Sequence, residues 1–209
     1  MGEILKFPVQ AAKFGYKRVN KRARAADDPN QLHLFAAPTA QILPFTPDVG
    51  RFEQALLFDD RGDLRAAELY RKAIEEHDCI ADAYCNLGII ESQNGNRAKA
   101  FDCFTTALKH DPRHSEAHYN LGNLYFEAND HRLAQIHYEI AAEVDPAFAN
   151  VYFNLALVLA INNDLAAAID ILTKYQQLAP EDEGRNADEL LRNLKQSLEA
   201  TKRTRFTAP

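Results

Sequence analysis

The sequence predicts an all-α superhelical solenoid: about four helix-turn-helix units, a C-terminal capping helix and a mostly disordered N-terminal tail. Three observations predict it. A 34-residue period runs through the middle of the chain, small residues recur at fixed places in each period, and a proline closes each one. The stretch "ADAYCNLGIIESQNGNRAKAFDCFTTALKHDPR" from Ala81 is followed by "SEAHYNLGNLYFEANDHRLAQIHYEIAAEVDPA" and then "ANVYFNLALVLAINNDLAAAIDILTKYQQLAPE". Asn86-Leu87-Gly88 aligns with Asn120-Leu121-Gly122 and Asn154-Leu155-Ala156. Ala100, Ala134 and Ala168 align, as do Phe104, Tyr138 and Leu172, and Pro112, Pro146 and Pro180. Self-similarity at such a period is the signature of stacked supersecondary units.

Each unit reads as two antiparallel helices. Tyr84, Leu87, Gly88 and Glu91 have helical spacing on the first. Asn94-Gly95, Asn129-Asp130 and Asn163-Asp164 break it, because Gly and Asn tolerate left-handed backbone. Ala100, Phe104, Ala107 and Leu108 form the stripe of the second helix, and proline ends it. Gly88, Ala100 and Ala107 let the helices approach closely, and Phe104 fills the remaining gap. An earlier unit, "FEQALLFDDRGDLRAAELYRKAIEEHDC", has its second helix in frame through Ala66, Tyr70 and Ala73. Its first helix fits after a one-residue shift that pairs Ala55 with Gly88. Thr46-Pro47-Asp48 is a suitable helix start. After Pro180, Leu190, Leu191, Leu194 and Leu198 form one apolar stripe that Asn186 can cap. A helix with one polar face suits the end of a repeat array.

These motifs resemble the tetratricopeptide repeat family over residues 47–180. The resemblance divides the chain into units at 47–80 (with a short turn), 81–114, 115–148 and 149–182. A capping helix and short tail follow at 183–209, and the basic tail is 1–46. It also implies a non-catalytic scaffold or adaptor whose first helices line a concave groove for an extended peptide or partner protein. Carried over by position, the groove presents Asn86 and Ile89, then Tyr119, Asn120, Asn123 and Phe126, then Phe153, Asn154 and Leu157. The same face also presents Asp82, Cys85, Gln93, Glu116, Glu127, Asn150 and Ile161. Asn86, Asn120 and Asn154 form a ladder. An Asn amide both donates and accepts, so a ladder can grip a peptide backbone without reading side chains. Asn also suits this position in repeats regardless of ligand, and both readings stay open here. Some relatives of this kind bind a C-terminal carboxylate with Lys and Arg in the groove. The corresponding positions here hold amides and Glu116, which argues against that use.

Charge is divided between the parts. Residues 1–46 carry seven basic and three acidic residues, a net of +4, whereas 47–180 carry 11 basic and 21 acidic, a net of −10. An acidic body and a basic leader should attract each other. The leader's run "YKRVNKRAR" can contact phosphate, so nucleic acid is a candidate partner. Its "QLHLF", with Gln31, Leu32, Leu34 and Phe35, resembles the pentapeptide by which bacterial proteins dock on the replication sliding clamp. That resemblance gives the alternative reading, a replication- or DNA-associated accessory factor. The same residues can instead pack on the solenoid or serve another partner.

An enzyme, a cofactor and a metal site are not expected. His110, His114 and His118 are spaced by four, but Pro112 interrupts that helix. Cys79, Cys85 and Cys103 match no common zinc spacing and read as reduced. No phosphate loop or nucleophile elbow is present. No apolar run reaches transmembrane length and "MGEILKFPVQ" lacks a signal-peptide core, so the expected setting is cytoplasmic, without a membrane partner; the expectation of a bacterial protein goes with the clamp-motif resemblance.

Overall fold

The computed structural model describes residues 16–19 and 49–207, with backbone alone at 181–186 and 202–207. Helices account for nearly all of the second segment: α1 (Arg51–Asp59), α2 (Arg65–Glu75), α3 (Ile80–Gln93), α4 (Arg97–His110), α5 (Ser115–Glu127), α6 (His131–Val144), α7 (Ala149–Ile161), α8 (Leu165–Leu178) and α9 (Glu181–Thr207). No strand occurs among the described residues. Each odd helix packs on the even one that follows, and each hairpin packs on the next. In addition α3 touches α5, so first helices lie side by side on one face. Contact between neighbours alone is what makes a solenoid.

The turns work as their residues predict. Gly62, Gly95, Asn129 and Asn163 all have left-handed backbone, with φ of +67°, +78°, +60° and +63°. Each lets the next amide reach back to close the preceding helix: Asp63 to Phe58, Asn96 to Glu91, Asp130 to Tyr125 and Asp164 to Leu159. The side chains of Asp130 and Asp164 then cap α6 and α8. His114 does the same for α5. Its Nδ1 accepts from the Ala117 amide at 3.2 Å, which leaves Nε2–H to donate to Asp82 at 3.0 Å.

Glycine is required where helices cross. A Cβ on Gly88 would lie 2.7 Å from the Phe104 ring, and one on Gly122 would lie 2.5 Å from the Tyr138 ring. The fourth unit has Ala156 and the slimmer Leu172 in the same core.

Two boundaries differ from expectation. Helix α9 begins at Glu181, so Asn186 lies inside it and does not cap it. Pro180 precedes a run of acids, Glu181-Asp182-Glu183, and both features favour a helix N-terminus there. Helix α1 begins at Arg51 after Gly50, while Thr46, Pro47 and Asp48 lie outside the described residues. Asp78, from the turn between α2 and α3, accepts from the Phe52 amide at 2.9 Å, so this helix is capped from a distance. None of the helices among the described residues is long and apolar enough to cross a membrane.

A histidine pair bridges α5 and α6. The Nδ1 atoms of His118 and His137 are 3.0 Å apart, and His118 Nε2 is 3.2 Å from the Pro112 carbonyl. Donation to that carbonyl leaves His118 Nδ1 to accept from His137 Nδ1–H, which requires a neutral His118 ring. Burial holds both pKa values down, that of His137 to about 4, with the neighbouring ring adding to the effect. An unfolded histidine titrates near 6.5. The pair's contribution to stability is therefore present above pH 6.5 and is lost as pH falls towards 4. The loss should be roughly 1–3 kcal/mol, allowing for partial solvent screening. Urea midpoints at pH 7 and pH 5 should fall less for His137→Phe than for the unaltered chain; equal falls would remove the pair from the pH response.

Candidate peptide-binding site on the first-helix face

Four residues of the leader lie across the face formed by α3 and α5. Tyr16, Lys17, Arg18 and Val19 belong to no helix, and the asparagines grip their backbone in pairs. Asn120 Oδ1 accepts from the Lys17 amide at 2.9 Å, and its Nδ2 donates to the Lys17 carbonyl at 3.1 Å. Asn86 repeats this two residues on. Its Oδ1 accepts from the Val19 amide at 2.8 Å and its Nδ2 donates to the Val19 carbonyl at 3.0 Å. Residues i and i+2 of an extended chain face the same way, so both clamps can engage one edge of it.

The side chains are held individually. Val19 is 1% exposed and packs in the cluster of Cys85, Ile89, Ala117 and Leu121. Arg18 Nη2 lies 2.9 Å from Asp59 Oδ1, at the C-terminal end of α1. Asp59 is only 5% exposed, and its other oxygen accepts from the Tyr70 hydroxyl at 3.1 Å. That hydroxyl in turn accepts from Asn86 Nδ2 at 3.2 Å, so the backbone clamp and the carboxylate belong to one network. Burial pushes the Asp59 carboxyl up, while the Arg18 charge and the Tyr70 hydrogen bond oppose it. Tyr16 stacks on Phe104 with centroids 6.0 Å apart and donates to Glu127 at 3.3 Å. Burial raises its pKa to about 12. The Lys17 ammonium sits 5.6 Å from the centre of the Phe148 ring, beside a pocket that Glu116 and Asp145 also line.

The predicted site residues divide into two groups. Asn86, Asn120 and Ile89 meet the segment. Asn154 turns inward: it is 1% exposed and donates to Tyr119 Oη at 3.1 Å and to Asn123 Oδ1 at 3.0 Å. Its own Oδ1 has no hydrogen-bond partner among the described residues. The cause lies one unit earlier. Asn123 occupies the position of Ile89 and Leu157, and its carbonyl oxygen attracts the neighbouring amide as isoleucine cannot. Asn123 also accepts from Tyr138 at 2.7 Å. Tyr119, at 0% exposure, is a core ring against Phe148, and Phe153 packs edge-on against Tyr175. Phe126 and Leu157 are part-buried against the same core. Asp82 is bound to His114, as described above. Gln31, Leu32, Leu34 and Phe35 lie outside the described residues, whereas Lys17 and Arg18 of the basic run face protein groups. Among the described residues no group of three or more potential ligands is arranged for a metal.

Sequence reasoning did not single out Asp59, and it read Tyr16–Val19 as part of a basic run for phosphate, not as an occupant of the groove. A signal existed for Asp59: the shifted register places a carboxylate where the sister units have Ser92, Phe126 and Ala160. For the segment, the signal was the opposition of charge between leader and body.

Tetratricopeptide repeat profiles match residues 81–114, 103–136 and 121–183. A human protein, general transcription factor 3C polypeptide 3, is 26% identical over 154 residues; the match covers 68% of this chain and 17% of that protein's length. Among solved structures, the first tetratricopeptide repeat domain of Spaghetti (RPAP3) bound to the HSP90 peptide SRMEEVD is similar, with a TM-score of 0.53 and 20% identity over 57% of this chain and 93% of that one. MamA is similar with a TM-score of 0.53 and 18% identity, over 71% of this chain and 96% of its own. At such identity the likeness concerns the fold, and the helical hairpins agree with it. The repeats recognised at residues 81–183 are tetratricopeptide repeats.

Proposed function

We propose that the protein is a non-catalytic scaffold that holds an extended segment of a partner protein across its first-helix face, gripping the backbone with Asn86 and Asn120. The two-way amide bonds to Lys17 and Val19 carry this reading, because they address only atoms that every residue has. Two bonds at each clamp contribute about 1–3 kcal/mol, and burying one aliphatic side chain adds about 1.5–3. Together these come to about 3.5–9 kcal/mol before ordering costs, which leaves weak binding, at best a dissociation constant on the order of a few hundred micromolar. The groups that touch the segment are amides, apolar rings and hydrogen-bonded carboxylates, a set suited to binding. A structural neighbour that carries a peptide supports the ligand class. Its peptide contains two glutamates and an aspartate, whereas the face here offers Asp59, Glu116 and Glu127 and suits the opposite charge.

The test needs a vacated face. Val19→Asp places a charge among buried apolar groups and should expel the chain's own segment. The full chain with this substitution is applied to an array of immobilised 12-residue peptides of varied sequence. It should capture a subset, and adding Asn86→Ala and Asn120→Ala should cut the signal at least tenfold with helicity unchanged by circular dichroism. No capture, or capture that the asparagine substitutions leave intact, overturns the scaffold reading.

A further inference from the structure

We infer that this face selects a cationic extended segment of the pattern aromatic–Lys–Arg–aliphatic, and that Tyr16–Val19 is a built-in occupant that a partner with the same pattern must displace. The inference deepens the scaffold reading and rests on it. Every position of the segment meets a group that suits its chemistry. The aromatic ring finds Phe104 and the Glu127 carboxylate. Lysine finds the Phe148 ring, with Glu116 and Asp145 at the same pocket. Valine is enclosed.

Arginine is the discriminating position. Asp59 is 5% exposed with the segment in place, and the Tyr70 hydroxyl and the Asn86 amide fix its position. A neutral residue in place of Arg18 leaves a shielded carboxylate without a cation, and an acidic one adds repulsion. The asparagines therefore bind any extended chain, and Asp59 chooses among them.

The connection to the body makes this occupant effective. Twenty-nine residues separate Val19 from Val49, a chain that can span up to about 100 Å. A tether of this kind gives an effective concentration on the order of millimolar. A segment with a dissociation constant of only about 100 μM then fills its own site roughly nine-tenths of the time. A partner succeeds by binding more tightly or by holding a second site.

A fluorescent peptide, AKFGYKRVNKRA (residues 12–23), tests this by anisotropy against the full chain and its Val19→Asp variant. The variant should bind at least tenfold more tightly, because its site is open. Adding Asp59→Asn should weaken that binding about tenfold, yet barely change binding of the same peptide with Arg18→Gln. Equal affinity for the full chain and the variant would show that the segment does not occupy the face. Indifference to Asp59→Asn would remove the charge selection. Failure of the variant to bind this peptide, while it captures others on the array, would overturn the inference and leave the scaffold reading standing. Sedimentation of the unaltered chain should show a monomer; a dimer abolished by Val19→Asp would assign the occupant to a second copy and overturn built-in occupancy.

Discussion

Replacing Gly122 with Leu is expected to lower stability by about 3 kcal/mol or more, at the upper end of overpacking effects. Even a methyl group there would lie 2.5 Å from Tyr138 Cε1 and 2.6 Å from Cδ1. The ring has nowhere to go. Its hydroxyl is bonded to Asn123 at 2.7 Å, it is 0% exposed, and Tyr119 packs against it with centroids 5.9 Å apart. Relief requires α5 and α6 to separate or the Asn123 bond to break. For a chain of this length each kcal/mol lowers the melting midpoint by about 2–4 °C, so a fall of roughly 6–12 °C is expected. Gly122→Ala is a sharper control. In an open helix it would gain up to about 1 kcal/mol from propensity. A net loss for alanine shows packing overriding propensity, and an unchanged midpoint for leucine would disprove this pairing of α5 with α6.

The same glycine shows how much of the fold was legible. Gly88 and Gly122 stand 34 residues apart, each followed at a fixed interval by a bulky ring, and the structure places each glycine against that ring. The turns were legible for a similar reason, since left-handed backbone selects Gly and Asn and these stand at the same place in each period. The start of α9 was less so. Asn186 is a good cap, but the acids after Pro180 begin the helix five residues earlier, and competing start signals do not reveal their strengths.

The site was legible only in part. Asn86, Asn120 and Asn154 are equivalent by position, yet the first two clamp a backbone and the third bonds to Asn123 and Tyr119. The difference arises from Asn123, a residue in the preceding unit, and the repeat alone does not tell which neighbour an amide will choose. Tyr16–Val19 was harder still. Four residues have no period of their own, and a match of residues i and i+2 to asparagines 34 apart is a property of the stacked helices. Charge predicted attraction between leader and body; geometry selected which four residues receive it.

The end of the array provides the second large effect. Leu194 is 1% exposed, and Ala187 and Leu191 share its core with Leu172 and Tyr175 of α8. Leu194→Ala removes a side chain from a closed site and should cost about 2–5 kcal/mol. Leu190 and Leu198 are only part-buried, so their replacement should cost less. Where the loss appears matters as much as its size. In a solenoid each unit rests on its neighbours, and damage at one end should loosen that end first. Hydrogen exchange of Leu194→Ala should therefore accelerate in α7, α8 and α9 while α3 and α4 stay protected. The Asn86 and Asn120 clamps would survive such local fraying, since they stand two and one units away from the fourth. Uniform acceleration from α1 to α9 would show instead that the array unfolds as one cooperative body, and that the C-terminal helix supports the peptide-binding face at a distance.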